Sequence, residues 1–487
     1  MQELPDLSKL SHEQKDALIL FLFPLIEKVQ RLTEYTEKLE AKVTELTAKV
    51  AELEARLSKN SQNSSKPPSS DGLRKTQSLR KPSGKNPGGQ AGHPGKTLKR
   101  VTHADKFVDH ALPEKCNECG HCLDTAAIEM HESRQVFDIP IVRYEVTEHR
   151  TYQVRCSCGQ IHQSAFPEGI TETVQYGPNV KALGVDLVHG EFVALLRSAK
   201  LIGRLYGLPL SAATVLGWIG EASMLVKPHV ETVKEKLMVA LLAHADESGF
   251  RVASALHWLH IVATEKLTWY GVHAKRGFEA IEDHGILTHR TGALVHDCWS
   301  PYWRLNCIHI LCNAHLVREL NFVHESTQQD WSLRMSQLLL RANKQCEKAR
   351  QAGQRQLHSW QIRRINRAYW ALIAQASGLN PAVKRKDKKR GRVKQSFAFN
   401  LLKRLRDHAD EILHFTKDLN IPFTNNWAER AVRMPKVKLK ISGCFRTLRG
   451  AQDFCNIRSY LDTMQKQGHN IFEVLRATFN GYAPSPA

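Results

Sequence analysis

Residues 239–249 read VALLAHADESG, and this stretch decides the fold. Its first part, Val239 to Ala243, is a short apolar run typical of a strand that is buried on both faces of a sheet. The run ends at the acidic pair Asp246 and Glu247. Functional groups in such sheets lie at the carboxyl ends of the strands, so we expect Asp246 there. If the strand continues, Glu247 points to the opposite face, and it stays an alternative to Asp246.

Two further acids have comparable positions. The apolar run Gly292 to Val295 ends at Asp297, which again predicts a buried strand with a carboxylate at its tip. Glu429 follows the good N-cap residue Asn425, and Trp427 to Met434 is predicted as a helix. Two acids are therefore expected at strand ends and one on a helix.

Three carboxylates without paired His or Cys ligands suit hard cations such as Mg2+ or Mn2+ better than zinc. Two such ions about 4 Å apart can activate an attacking oxygen and stabilise the leaving oxygen of a phosphodiester. The chain has 49 acidic residues, so solvated acids or structural ion pairs are the alternative.

The composition indicates a polyanionic partner. The 487 residues suffice for several domains, and 69 Lys and Arg against 49 Asp and Glu give a net charge of +20. Nucleic acid is the leading partner, and an anionic membrane surface is the alternative. The longest apolar run, Ala17 to Ile26, is too short to cross a bilayer, and the acids ahead of it do not fit a secretory signal.

A heptad repeat marks the N-terminal region. Leucine at one seam position with mostly β-branched residues at the other favours a parallel two-stranded coiled coil, and hence a homodimer or higher oligomer. The seams are Leu18, Leu25, Leu32, Leu39, Leu46 and Leu53, and Leu22, Val29, Thr36, Val43, Val50 and Leu57. Pro24 predicts that the uninterrupted helix begins only after it. A long helix packed on its own domain is the alternative.

Residues 59–100 are rich in Ser, Pro, Gly, Lys and Arg, and Asp71 is their single acid. Such a segment cannot bury enough apolar surface to fold alone. We expect a flexible basic linker that orders on DNA phosphates, with an inert linker as the alternative.

Several motifs closely resemble, in the same order, the signatures of the large transposase of the insertion sequence 66 family, a bacterial DDE transposase. They are NSSKPPSSD (63–71), GGQAGHPG (88–95), YGP (176–178), DE (246–247), KRG (275–277), CNAHLVRE (312–319) and TNNWAER (424–430). The resemblance spans nearly the whole chain. It implies a ribonuclease H-like catalytic core, and the strand, helix, strand order predicted for residues 239–296 agrees with that.

The resemblance also implies the chemistry. Asp246, Asp297 and Glu429 would form the DDE triad, hold two Mg2+ or Mn2+ ions, and cut DNA at the ends of the element. The freed 3′-hydroxyl would then attack target DNA. The implied partners are terminal inverted repeats, target DNA and small companion proteins, and the implied location is the bacterial cytoplasm, at the nucleoid. The alternatives are a catalytically silent, transposase-derived DNA-binding protein and a structure-specific nuclease of the same fold.

Two cysteine clusters among the eleven cysteines favour a metal site in a reducing compartment over a disulfide framework. Two cysteine pairs, each followed closely by Gly, fit the knuckles of a zinc ribbon, and the resemblance implies a structural zinc domain here. The predicted ligands are Cys116, Cys119, Cys156 and Cys158. The second pair is Cys-x-Cys where the family has Cys-x-x-Cys, so the alternatives for one ligand are Cys122, His121 and His162.

Basic and helical segments supply the expected DNA contacts. Ala199–Tyr206, a turn at Gly207, and a helix over Ser211–Glu221 form a candidate helix-turn-helix, with a simple packed helix pair as the alternative. Trp331–Ile373 is predicted as a helical insertion, and the run Lys384–Lys394 as a basic loop that guides DNA. The predicted DNA-contacting side chains are Lys275, Arg276, His315, Arg318, Arg433, Lys436, Lys438 and Lys440. Zinc binding by Cys312 and His315 is the less favoured reading, against packing.

The predicted fold is therefore multidomain: an α/β ribonuclease H-like core with a helical insertion, a coiled coil, a zinc-ribbon-like domain and a helical DNA-binding region. The predicted division is coiled coil 1–58, linker 59–100, zinc-binding domain 101–172, helical region 173–237, core 238–325, insertion 326–420, core with Glu429 421–455, and C-terminal helical segment 456–487.

Overall fold

The computed structural model describes residues 7–60, 63, 98–123, 130–139, 143–384 and 393–487. Most of the predicted linker, and residues 385–392 of the predicted basic loop, lie outside the described residues. The described parts form two compact units: one from Met1–Gln77, Val233–Phe250 and Ala255–Pro435, the other from Ser78–Thr232, Arg251–Ser254 and Lys436–Ala487. Within these parts of the chain, no helix has the length and apolarity that a membrane span requires.

The heptad region forms one long helix, α1 (His12–Leu57). It begins with a capping box, in which the Ser11 hydroxyl accepts from the Gln14 N–H and the Gln14 side chain accepts from the Ser11 N–H. Pro24 lies inside this helix, so the expectation that the helix begins only after it was wrong. Proline removes a single helical hydrogen bond, and 46 residues of helix tolerate that loss. The seam residue Leu39 is 43% exposed.

The unit that carries the cysteine clusters is largely helical. Its elements are the antiparallel strands β1 (Gln153–Arg155) and β2 (Ile161–Gln163), then α2 (Pro178–Val185), α3 (Leu195–Tyr206), most of α4 (Ala212–Val239), α12 (Leu448–Lys466) and α13 (Ile471–Phe479). Gly207, with φ +72°, ends α3, and the Ser211 hydroxyl accepts the Thr214 N–H at the start of α4. Helix, glycine turn and capped helix therefore follow one another as predicted.

The other unit is built on a five-stranded mixed sheet. Its strands are β3 (Leu242–Val252), β4 (Ala255–Ala263), β5 (Thr268–His273), β6 (Ala293–His296) and β7 (Ile308–Leu311), in the spatial order β5-β4-β3-β6-β7. β4 and β5 are antiparallel, whereas β3, β6 and β7 are parallel, and α5 (Phe278–His284) precedes β6. A parallel centre with an antiparallel hairpin at one side is thus the frame of this unit.

Helices cover this sheet and fill the long interval before Glu429. They are α6 (Asn313–Thr327), α7 (Asp330–Gln351), α8 (Ser359–Leu379), α9 (Phe397–Asp407), α10 (Ala409–Lys417) and α11 (Asn426–Ser442). One apolar core joins β6 and β7 to α6–α10, with Trp331, Met335 and Tyr369 fully buried. The helical insertion predicted around Trp331–Ile373 is present as α7 and α8.

Candidate functional site

The sheet register brings Asp246 level with Asp297. β3 and β6 run parallel with His244 opposite Val295, so the residues two positions further along each strand are these two acids. Asp297 directly follows β6, as predicted. Asp246 is not at a strand tip, because β3 continues to Val252 after its pairing with β6 ends. The prediction that Asp246 ends its strand was therefore wrong, and Asp246 instead lies where the neighbouring strand β6 ends.

Asn425 connects the helix of Glu429 to the same edge. Its side-chain amide donates to the carbonyl of Ala245 (2.8 Å) and accepts from Nδ1 of His244 (2.9 Å). Its backbone N–H donates to the thiol sulfur of Cys312 at 3.2 Å. Because Glu429 lies in the first turn of α11, these bonds fix that turn against β3 and the end of β7.

The negative charges of Asp297 and Glu429 both act on Asp246. The pKa of Asp246 is raised well above its usual value, first by burial, then by the negative charges of Glu247 and Asp297, and also by that of Glu429. A hydrogen bond from the backbone N–H of Glu247 acts in the opposite direction. A buried aspartate surrounded by further carboxylates offers the oxygen ligands that a divalent cation such as Mg2+ prefers.

Each aspartate has one oxygen held by the backbone. Asp246 Oδ1 accepts the N–H of Glu247 at 2.8 Å, and Asp297 Oδ1 accepts the N–H of Trp299 at 3.0 Å. The second bond closes a turn in which Cys298 has a φ of +72°. The two carboxyl groups are therefore oriented by local structure, each with its second oxygen left for other partners.

Glu247 faces a different set of groups. Its side chain is 1% exposed, it accepts from Nε of Arg276 at 3.0 Å, and it accepts from the Tyr302 hydroxyl at 2.7 Å. The Arg276 guanidinium lies between the rings of Trp258 and Trp299, 4.9 and 4.4 Å from their centroids. These contacts pair the buried Glu247 with an Arg276 side chain that is 38% exposed.

Cys312 and His315 lie against Glu429. The Cys312 sulfur is 3.8 Å and His315 Nδ1 is 3.7 Å from Oε1 of Glu429, and Arg318 is 3.8 Å from the same oxygen. Burial raises the pKa of Cys312 to about 12 and lowers that of His315 to about 4. At neutral pH the thiol is protonated and the imidazole is uncharged.

Among the described residues, one group of three or more His, Cys, Asp or Glu side chains has ligand atoms within 4.8 Å of one another: Cys312, His315 and Glu429. Asp246, Asp297 and Glu429 are more widely spaced than this. Two ions about 4 Å apart can share one bridging acid. The two outer carboxylates then lie further from each other than the ligands of a single ion do.

The remaining predicted DNA-contacting residues have different surroundings. Lys275 pairs with Glu279 at 2.6 Å and is largely exposed. On α11, Arg433 and Lys440 are exposed, whereas Lys436 and Lys438 are partly buried. Burial lowers the pKa of Lys438. Arg433 and Lys440 are thus the most accessible of the four on this helix.

Sequence reasoning missed two features. One is the bridging role of Asn425, which directly precedes α11, as the cap prediction has it, and also bonds to β3 and to Cys312 after β7. The other is the exposed basic face of α3, formed by Arg197, Lys200 and Arg204. Their spacing of three and four residues is a helical-face signal that the sequence contains. The contacts of Asn425 join residues 180 positions apart and leave no such signal.

The cysteine pairs form two similar turns. The Gly120 N–H donates to the Cys116 carbonyl, and the Gly159 N–H donates to the Cys156 carbonyl, with both glycines at positive φ. The backbone N–H of Cys119 lowers the pKa of Cys116, and that of Cys158 lowers the pKa of Cys156. Amides directed at sulfur favour thiolates, the form that binds zinc, so each turn fits a zinc knuckle. The four cysteines do not form a group within 4.8 Å in this part of the structure.

Three family models match the chain. Residues 173–453 match the transposase IS66 family, and residues 113–159 match the zinc-finger binding domain of transposase IS66. Residues 2–99 match a family of unknown function. No curated protein matches the chain. The zinc-finger match supports a structural zinc ion.

The match to the first model decides the family, because it covers more than half of the 487 residues. It agrees with the resemblance read from the sequence motifs. The chain therefore belongs to the IS66 transposase family, which indicates DNA binding and transposition and suggests a DNA-cleaving enzyme.

Proposed function

We propose that this protein is a DDE transposase that cuts DNA at the ends of an insertion sequence and joins the ends to target DNA. Asp246, Asp297 and Glu429 are the catalytic acids, and they hold two Mg2+ or Mn2+ ions. The observation that carries the proposal is the raised pKa of Asp246, on which the charges of both other acids act. Two acids from distant parts of the sequence thus act on Asp246, which supports assigning the three to one site.

The sheet supports a ribonuclease H-like core. Its strands lie in the order β5-β4-β3-β6-β7, with the antiparallel hairpin β4–β5 beside the parallel strands β3, β6 and β7. One candidate acid lies on the central strand β3, and another directly follows its parallel neighbour β6. The proposal requires this arrangement. The helical insertion of α7–α10 then separates the second acid from Glu429 in sequence. Asn425, four residues before Glu429, bonds to β3, which supports the assignment of Glu429 to the same site.

Two bound ions would activate the attacking oxygen and stabilise the leaving oxygen of the phosphodiester. The protein's own part is orientation. The backbone N–H groups of Glu247 and Trp299 fix one oxygen of each aspartate, and Asn425 fixes the helical turn that carries Glu429. Pre-set positions of this kind lower the reorganisation that the reaction requires.

DNA binding is assigned to the α3–α4 pair as well as to the zinc-finger domain. In a helix-turn-helix the first helix crosses the DNA backbone and the second enters the major groove. The exposed face of α3 has Arg197, Lys200 and Arg204, whereas the first turns of α4 have no Lys or Arg before Lys227. We therefore assign phosphate contacts to α3 and base contacts to the start of α4.

The long helix α1 is assigned to dimerisation. Its apolar seam residues from Leu22 to Leu57 are exposed, and a second copy of the same helix fits them by the heptad rule. Two catalytic units joined in this way could act on the two ends of one element.

The test uses full-length protein, Mg2+ and labelled DNA that carries the two ends of the element. We expect strand nicking that falls at least roughly 100-fold in Asp297→Asn while DNA binding persists, because the variant loses a metal-binding charge but no DNA contact. Glu265→Gln, an exposed acid between β4 and β5, is the matched control and retains nicking. Wild-type protein that binds these ends and never nicks them would instead be a catalytically silent, transposase-derived DNA-binding protein.

A further inference from the structure

A mixed set of ligand types meets at Glu429. The Cys312 sulfur, a ring nitrogen of His315 and a carboxylate oxygen of Glu429 all lie within 4.8 Å of one another. The proposed catalytic acids offer oxygen alone. Thiolate, imidazole and carboxylate together are instead the ligands that zinc and cobalt prefer.

The spacing of these atoms matches a single small ion. Tetrahedral zinc, with bonds of about 2.0–2.3 Å, separates its ligand atoms by roughly 3.3–3.8 Å. The sulfur and the His315 nitrogen are 3.8 and 3.7 Å from the Glu429 oxygen. Three such ligands leave a fourth position for water or a ligand oxygen.

A second observation points into the same space. Nδ1 of His315 is fully buried and has no hydrogen-bond partner. An unsatisfied buried polar atom costs about 1–3 kcal/mol, so it calls for an explanation. A bound cation facing Glu429 and Cys312 would satisfy this nitrogen.

Some neighbouring groups favour a bound cation at this site and others oppose it. Burial and the negative charge of Glu429 oppose the thiolate form of Cys312, whereas the backbone N–H groups of Asn425, His315 and Ala314 favour it. The guanidinium of Arg318 lies 3.8 Å from Glu429 and competes with a cation. Arg404 is a second cation that acts on His315, but its charge is partly neutralised by the Glu319 carboxylate, which it contacts at 2.7 Å. An ion must therefore displace Arg318 from Glu429, which predicts a site weaker than a four-cysteine zinc site.

We propose that Cys312, His315 and Glu429 form a binding site for a transition-metal cation such as Zn2+ or Co2+, distinct from the oxygen-only site for Mg2+. Binding releases the thiol proton to solvent as the metal–sulfur bond forms. Its consequence rests on the proposed function: an ion held here withdraws Glu429 from the catalytic pair of ions, so Zn2+ inhibits Mg2+-dependent cleavage.

The binding test uses full-length protein whose zinc-finger zinc has been measured by elemental analysis. Titration with Co2+ should give one further equivalent with a sulfur-to-cobalt charge-transfer band. The band disappears in Cys312→Ser and persists in Cys346→Ser. Cys346 is a buried cysteine whose thiol donates to the backbone carbonyl of Phe415. His315→Gln keeps the sulfur and should weaken Co2+ binding by at least roughly tenfold. This variant decides the question if Cys312→Ser fails to fold.

Two results would overturn the site: no cobalt band beyond exchange at the zinc finger, or a band that Cys312→Ser and His315→Gln leave unchanged. The inhibition is measured separately, as the ratio of nicking with and without Zn2+ at fixed Mg2+. That ratio should rise towards one in His315→Gln, whatever its absolute rate. A protein that binds Co2+ at this site but never nicks DNA would contradict the proposed function and leave the metal site standing.

Discussion

Arg276 is held on three sides. Its guanidinium contacts the carboxylate of Glu247 and lies between the indole rings of Trp258 and Trp299. Lys275, the preceding residue, extends into solvent and pairs with Glu279. Two neighbouring basic residues that look alike in sequence thus have different surroundings: Arg276 pairs with a buried acid, and Lys275 pairs with an exposed one.

Removal of Arg276 should therefore destabilise the protein. Glu247 would keep Tyr302 as a donor but lose its counter-charge, and we expect Arg276→Ala to lower the free energy of unfolding by about 2–4 kcal/mol. Lys275→Ala, the matched control, should change it by less than about 0.5 kcal/mol. Urea denaturation measures both variants.

The double variant Glu247→Gln/Arg276→Ala gives the sharper result. It removes the buried charge together with its partner, so it should be more stable than Arg276→Ala alone. If Arg276→Ala instead kept full stability and lost affinity for DNA, the sequence-based assignment of Arg276 to DNA contact would be the correct one.

At the scale of single elements, α1 leaves its apolar seam residues from Leu22 to Leu57 exposed in the part of the chain that the structure describes. The predicted cover is the same helix of a second copy. A charge at the seam would be buried in that dimer, whereas a charge on the opposite side of the helix would stay in water.

We accordingly expect Leu39→Lys to convert the dimer to monomer at micromolar concentration. Ala41→Lys introduces the same charge two residues away, at an outward heptad position, and should leave the dimer intact. Sedimentation equilibrium distinguishes the two. Identical masses for both variants and wild type would show that the heptads serve another purpose.

The basic face of α3 makes a prediction about salt. If Arg197, Lys200 and Arg204 each neutralise one phosphate, their joint replacement by Ala removes three counterion-releasing contacts. The slope of log affinity against log salt concentration should then fall by about 0.9 per contact. Fluorescence anisotropy across a salt series measures that slope.

The matched control for α3 is the triple Ala variant of Arg363, Arg364 and Arg367, which are exposed on α8 of the insertion. It has the same change in net charge, so an equal fall in slope would mean that charge alone matters. A fall confined to the α3 variant supports the assignment of α3 to the DNA backbone.

At the scale of the whole molecule, the chain combines segments with very different cores. The unit around the five-stranded sheet buries a continuous apolar cluster, but the cysteine region exposes most of its large apolar side chains, with Phe107 83% exposed. The zinc-finger match predicts that bound metal stabilises such a segment.

Chelation of zinc should therefore make residues 101–172 sensitive to protease while the sheet unit stays resistant. Limited proteolysis with mass spectrometry follows both regions in one experiment. Cys119→Ser should reproduce the chelated pattern, and Cys122→Ser should resemble wild type, because Cys119 is the predicted ligand. The reverse result would assign the ligand role to Cys122.

The sequence by itself indicated the family, which the family match confirms, and the long helix that the heptads mark. The zinc ligands and the catalytic acids are predictions read from the same kind of pattern. These follow from local patterns: heptads, cysteine spacing, apolar runs and contiguous motifs are all written within short windows of the chain. The division into domains is not tested by these observations and stays a prediction.

Only the tertiary structure decided which side chains lie close together. The register of β3 against β6 aligns Asp246 with Asp297, and Asn425 ties Glu429 to that edge across 180 residues. The same folding turned Arg276 towards Glu247 and Cys312 towards Glu429. Contacts between residues far apart in sequence depend on packing, and no local pattern encodes them.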